Sequence, residues 1–356
     1  MLEAGRLSNR QADMLDEPGR QKHSRLAVLG AGSWGSALAL VLAGNGHEVN
    51  LWGHDSQHVV KLFNEKQNQR HLPGITFPST IHPTTCLGNA INDATAIVIA
   101  VPSRAFVDLI EQLATVNKKS LPVLIATKGL QPGSGGLLHS LVEHRLARVD
   151  VAVLSGPSFA GEVAAGLPTA VTIAAKSHAT ATVFARPFHT PSFRPYTSTD
   201  LIGVQLGGAV KNVMAVATGI AEGLALGANT QAGLITRGLA ELRRLGVAMG
   251  AEPNTFMGLS GVGDMVLTCT DNQSRNRRFG YGIGRGEEIQ AITQKIGQTV
   301  EAITTASEVC ALADVHHVDM PICQEVTAII KGERNPNEAL TSLMQRPLGE
   351  EFPNHH

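Results

Sequence analysis

The sequence predicts an α/β protein: a doubly wound sheet in the first half, followed by an all-α C-terminal domain. Before residue 200, short apolar runs that end in glycine, proline or serine alternate with helical patterns, as buried parallel strands and their crossover helices do. From about Leu201 the strand-like runs cease and long helical patterns take over. At 356 residues the chain is also longer than one compact core tends to be, so two domains are expected. The boundaries read as 1–24 for a disordered polar extension, 25–200 for the sheet domain, 201–346 for the helical domain and 347–356 for a tail.

The extension lacks the apolar core of a secretion signal, and no later stretch offers 18 apolar residues without glycine-rich breaks, so no integral membrane segment is expected. A hydrophobic content of 43% with 17% charged residues is that of a globular protein, and a net charge of -1 provides no field for a polyanion. Nucleic acid is therefore not an expected partner. Cys86, Cys269, Cys310 and Cys323 are scattered with no CxxC pairing, which suggests neither a zinc ribbon nor a disulfide framework and fits a reducing cytoplasm. His316 and His317 have no partners at metal-ligand spacing; they read as surface residues, and no metal is expected.

The first element pair is the most explicit. Arg25 to Asp55 reads as a strand, a tight glycine turn, an amphipathic helix and a second strand, with Gly44 and Gly46 ending the helix. The turn is Gly30-Ala31-Gly32-Ser33-Trp34-Gly35, a GxGxxG pattern in a βαβ context. Gly30 permits the turn, Gly32 lets the backbone approach a pyrophosphate, and Gly35 lets helix and strand pack closely; the helix N-terminus then presents N–H groups to the anion. A Rossmann-type dinucleotide site is the expectation. About twenty positions on, where NAD-binding units carry an acid for the ribose 2′-hydroxyl, this chain has Gly53-His54-Asp55. His54 would not repel a 2′-phosphate and Asp55 could take a hydroxyl, so NADP and NAD both stay open. His54 also reads as a plain exposed loop residue.

Next come TAIVIAVPS (Thr95 to Ser103) and PVLIATKG (Pro122 to Gly129), interior strands whose carboxyl ends border the crevice where open α/β sheets bind ligands. Lys128 emerges there, as a functional cation or an ordinary residue after a strand. A third such strand, DVAVLSGPS, ends at Gly156-Pro157-Ser158 and turns into a helix of small residues, bringing Ser158 and further N–H groups to the same crevice.

In the second half, Lys211 sits inside GVQLGGAVKNVMAVATG. At helical spacing its neighbours are Val204, Gly207, Gly208, Met214, Ala215 and Thr218, an apolar and small face. Such a lysine can simply thread its methylenes over that face and leave its nitrogen in water. It can also be an acid/base group, its pKa lowered by burial and by Lys128, with Gly207, Gly208 and Ala215 leaving room for a small substrate. Downstream lie GLSGVGD, ending at Asp264, and TCTDNQSRNRRFG, where Asp271 or Ser274 can cap a new helix. Ser274, Arg275 and Asn276 would then stand at its positive end, a site suited to phosphate. The competing reading of SRNRR is a solvated basic face.

GAGSWG, ATKG, SGPSFA, GVQLGGAVKN, GANTQAGLITRGLAE, TFMGLSGVGD and TCTDNQSRNRRFG, in this order and spacing, resemble the bacterial NAD(P)-dependent glycerol-3-phosphate dehydrogenase family from about Arg25 to Leu343. The resemblance implies reversible reduction of dihydroxyacetone phosphate to sn-glycerol 3-phosphate for phospholipid synthesis, with NADP or NAD, in a cytoplasmic homodimer. It also implies that Lys211 is the catalytic acid/base and that Lys128, Gly156, Ser158, Asp264, Ser274, Arg275 and Asn276 contact the substrate. Ser33, Trp34, His54, Lys128, Ala160, Arg275, Thr299 and Glu301 are implied cofactor contacts, Thr299 standing where the family more often has an aliphatic residue. Two rivals stay open: a β-hydroxyacid dehydrogenase of similar plan, which would not need SRNRR, and a dinucleotide-sensing protein without turnover, which could dispense with Lys211 and Asp264.

Overall fold

The protein's computed structural model describes residues 24–146, 148–347 and 350–351; the expected extension up to residue 23 and most of the expected tail lie outside them. The strands are β1 (Arg25–Leu29), β2 (Glu48–Trp52), β3 (Gln67–Asn68), β4 (Leu72–Thr76), β5 (Ile81–Thr84), β6 (Ala96–Ile99), β7 (Val123–Ile125), β8 (Val151–Ser155), β9 (Thr169–Ala175) and β10 (Phe193–Ser198). Among the described residues β3 and β4 form a separate hairpin, and the other eight make one sheet in the order β10, β9, β8, β7, β6, β1, β2, β5. Strand order reverses between β1 and β6, which pair in parallel, so the switch point of the sheet lies beside the GxGxxG turn. Every residue of β6 and β7 is buried, which is why both read as unbroken apolar runs.

Helices α1 (Ser33–Gly44), α2 (Ser56–Glu65), α3 (Leu87–Asn92), α4 (Phe106–Val116), α5 (Leu138–Arg145), α6 (Ala160–Ala164) and α7 (His178–Ala185) accompany the sheet. One pairing departs from the parallel plan: β8 runs parallel to β7 but antiparallel to β9. The connection through α6 returns the chain from the edge where β8 ends, without a crossover to the other end of the sheet.

The second half is helical: α8 (Leu201–Gly223), α9 (Gly227–Ala248), α10 (Asp264–Thr270), α11 (Arg275–Gly284), α12 (Ile289–Ile296), α13 (Ala302–Val315), α14 (Pro321–Ile330) and α15 (Pro336–Met344). α8 is buried almost all round, as a helix apolar on nearly every face must be in water. Among the described residues it is the one helix long and apolar enough to cross a membrane, and it forms the core of the helical half. Asp200 starts it, its Oδ1 accepting the Gly203 N–H at 2.8 Å while Oδ2 accepts the Glu252 N–H at 2.9 Å. α8 and α11 touch backbone to backbone: a Cβ on Gly219 would lie 2.1 Å from the Arg277 carbonyl oxygen, and one on Gly280 2.1 Å from that of Val216. The second charge on α8, Glu222, pairs with Arg277 at 2.5 Å, so this arginine of SRNRR is a buried brace rather than part of a solvated face.

Candidate active site

Lys211 lies at the middle of α8 and is 7% exposed. Its Nζ donates to Asp264 Oδ1 at 2.5 Å and to Thr268 Oγ1 at 2.9 Å. Asp264 opens α10 directly after a π-helical turn over Leu259–Gly263, and its side chain is fully buried. Its Oδ2 takes a second ammonium, Lys128 Nζ at 2.9 Å, and that amine also donates to the Gly156 carbonyl at 2.9 Å and reaches Ser158 Oγ at 3.3 Å. One carboxylate thus bridges a lysine of the sheet half and a lysine of the helical half. Burial pulls the Lys211 pKa down to about 8, the Asp264 carboxylate opposing and the Lys128 charge assisting. Burial acts to raise the Asp264 carboxyl, but the two ammonium groups prevail and hold it below its ordinary value.

The small residues beside Lys211 do a different job from the one expected. A Cβ on Gly207 would lie 2.0 Å from the Ser260 carbonyl oxygen, and one on Gly208 2.7 Å from Ser155 Oγ. They let α8 press against the π-helical turn and β8, which sets Asp264 opposite Lys211; they do not open space for a substrate.

The GxGxxG turn stands beside this cluster. A Cβ on Gly30, at φ +123°, would meet the Ala100 carbonyl oxygen at 2.6 Å, and one on Gly35 would strike the Gly30 carbonyl oxygen at 1.8 Å. Gly32 differs, because nothing in the protein lies within 4 Å of its Cβ position and its φ of -83° suits any residue. Its missing side chain therefore fits close approach by a ligand, here a dinucleotide pyrophosphate at the start of α1. Trp34 anchors its indole on the Ala126 carbonyl at 3.1 Å, and Lys128 Nζ stands 5.9 Å from the centre of that ring. The path from the glycine turn to the Lys211 amine is thus Trp34, Lys128, Asp264, each in contact with the next.

Family models for the N-terminal and C-terminal parts of NAD-dependent glycerol-3-phosphate dehydrogenase match residues 25–181 and 200–341. The chain belongs to this family. It is 50% identical to a glycerol-3-phosphate dehydrogenase [NAD(P)+] of Halorhodospira halophila over 330 residues, 92% of this chain and 99% of that one. A protein of the same name from Stenotrophomonas maltophilia is 48% identical over 92% of this chain and 97% of its own. The solved glycerol-3-phosphate dehydrogenase of Coxiella burnetii superposes with a TM-score of 0.88 at 44% identity, covering 91% of this chain and 99% of that chain.

Other residues expected at the site of a glycerol-3-phosphate dehydrogenase divide into two groups. Thr299 and Glu301 reach back to the loop after β6: Ser103 Oγ donates to Glu301 Oε2 at 3.0 Å, and Arg104 Nη2 lies 3.4 Å from Thr299 Oγ1. Burial raises the Glu301 carboxyl, while Ser103 and Arg275 pull the other way. Arg275 opens α11 beside Gln298, its Nη1 3.4 Å from Oε1, and burial lowers its pKa. Ala160 opens α6, which packs on α1, and His54 is exposed after β2. Ser274 and Asn276 point inward. Ser274 Oγ caps α11 by accepting the Arg277 N–H at 3.2 Å, and the Asn276 amide spans Asn212 Oδ1 at 2.9 Å and the Ala302 N–H at 3.1 Å. Thr268, Asn212 and Ser103 were not anticipated. Thr268 had a signal in its four-residue helical spacing from Asp264, and Asn212 in its place beside Lys211; Ser103 had only its position at the end of a strand.

Proposed function

We propose that the protein catalyses the reversible reduction of dihydroxyacetone phosphate to sn-glycerol 3-phosphate with NADPH or NADH, supplying glycerophospholipid synthesis in the cytoplasm. The observation that carries this reading is the buried Lys211 amine, poised near pH 8 and linked through Asp264 and Lys128 to the glycine turn. When bound, the nicotinamide supplies or accepts the hydride. Lys211 meets the charge that grows on the carbonyl oxygen by giving it a proton, and as a neutral amine it takes the alcohol proton in the reverse direction. Asp264 orients both amines, and Lys128 reaches the reacting region from the opposite side. The burial of Lys211 and Asp264 strengthens each of these interactions.

Arg275 supplies the guanidinium fork for the substrate phosphate. Gly156 and Ser158 lie beside the Lys128 amine, while Ser274 keeps its O–H and Asn276 a second amide N–H to donate to substrate without breaking the bonds they make at the start of α11. Ser33, Trp34, His54, Ala160, Thr299 and Glu301 are the proposed cofactor contacts alongside Lys128 and Arg275. A homodimer is proposed on the family resemblance alone.

NADPH oxidation with dihydroxyacetone phosphate, followed by carboxylate-bearing ketones under the same conditions, tests the activity. Turnover confined to the phosphorylated triose is expected; turnover only of a carboxylate, or none with either, defeats the proposal. Arg275→Ala should lower kcat/KM for dihydroxyacetone phosphate by roughly tenfold to a hundredfold. The loss with unphosphorylated dihydroxyacetone, where only the cofactor contact of Arg275 is missing, should be smaller, so an equal loss on both substrates would place the clamp elsewhere.

A further inference from the structure

In doubly wound sheets, the residues just past β2 face the adenosine ribose, and a carboxylate there accepts the 2′-hydroxyl of NAD. Asp55 is the carboxylate in that loop, yet both its oxygens are engaged. Oδ1 accepts the His58 N–H at 3.1 Å and caps α2, and Oδ2 lies 3.1 Å from Arg70 Nη1. The His58 bond leads the effects that hold the Asp55 carboxyl below its ordinary value, with Arg70 adding to it, so the group stays ionised.

Arg70 comes from the turn between β3 and β4, and this hairpin is fastened over the glycine turn. Asn68 Nδ2 donates to the Ala31 carbonyl at 3.0 Å and to Ser36 Oγ at 2.8 Å, while Ser33 Oγ donates to the His71 carbonyl at 2.6 Å. The backbone on both sides of Arg70 is therefore anchored to the dinucleotide loop, whereas its side chain is 64% exposed. Lys61 joins Arg70, Gln57 and Gln69 along a groove of about 370 Å³ beside Asp55. Glu65 also lines it, at the far end of α2.

We infer that Arg70 is the residue by which this chain selects the 2′-phosphate of NADPH over the 2′-hydroxyl of NADH. The inference rests on the glycine turn binding a dinucleotide. An exposed ion pair such as Arg70 with Asp55 contributes little, so the guanidinium can leave it readily, and a phosphate dianion offers the fork two parallel bonds in exchange. With Arg70 beside it, the Asp55 charge is offset even when the direct pair opens, because the guanidinium stays close. Without it, Asp55 repels a phosphate and is free to accept a ribose hydroxyl, so one side chain sets the sign of the preference.

Calorimetric titration of the full chain with NADPH and with NADH, no substrate present, tests this. Arg70→Ala should weaken NADPH binding by about tenfold or more and leave NADH unchanged or tighter, at an unaltered melting temperature. Arg70→Lys, which keeps the charge but loses the fork, should fall between. Added salt should erode the NADPH advantage of the native protein more than that of Arg70→Ala. If both dinucleotides bind the native protein and Arg70→Ala changes neither, or both equally, the inference is overturned while dinucleotide binding stands. If the native protein binds neither, the reading of the glycine turn falls and this inference with it.

Discussion

Lys211→Ala is expected to lower kcat by at least about a thousandfold, within the range by which a positioned acid or base contributes, while NADPH still binds with nearly native affinity. The amine is held between Asp264 and Thr268 on the helical side of the site, and its neighbours on α8, Val210, Asn212, Met214 and Ala215, carry no ionisable group. The pH profile gives an independent reading. In the proposed role reduction uses the protonated amine and oxidation the neutral one, and burial brings the Lys211 pKa down to about 8. Reduction should therefore fall as pH rises through about 8, and oxidation should rise across the same window. Lys211→Ala should remove both breaks. Substantial turnover that keeps a break near pH 8 would show that another group moves the proton. Lys211→Met, which keeps the methylene packing over the apolar face, should lose activity equally and so separate the missing amine from a packing defect.

The GxGxxG turn, the interior strands and the change to helices near Leu201 were legible because each rests on local periodicity. The burial of Lys211 was legible for a related reason, a lone cation within an apolar helical run, and that burial lowers its pKa. Long-range partnership was not legible. The β3–β4 hairpin over the glycine turn carries too little periodic pattern in QNQRHLPG to announce itself, and nothing in β9 signals that it runs antiparallel to β8. Small residues were ambiguous in kind: Gly207 and Gly208 look alike in sequence whether they admit a ligand or a backbone, and here they admit the Ser260 carbonyl and the Ser155 side chain. Ser274 and Asn276 show the same limit, since a polar residue at a helix start can face outward to an anion or inward to its own fold. In this chain they face inward, to the Arg277 N–H and to Asn212.

Asp264→Asn should damage both stability and chemistry. It removes the negative charge shared by Lys211 and Lys128 at 2.5 Å and 2.9 Å while leaving both ammonium groups in place. Removing one partner of a buried ion pair typically costs about 3 to 5 kcal/mol, and the melting temperature should fall accordingly. Since Asp264 opposes the lowering of the Lys211 pKa, its loss leaves burial and Lys128 unopposed, and the Lys211 pKa should move below about 8. The fall of the reduction rate should then begin at lower pH, and the rate at neutral pH should drop sharply while oxidation is less affected. The native protein's acid dependence has the opposite sense. Asp264 is held below its ordinary carboxyl range, so its contribution is complete above the unfolded value near 3.8 and is lost as pH falls through the folded one. Asp264→Asn should lack that loss on acidification. Lys128→Ala, which removes a cation rather than the anion, should shift the Lys211 profile upward instead; two shifts of the same sign would show that Asp264 does not couple the lysines electrostatically.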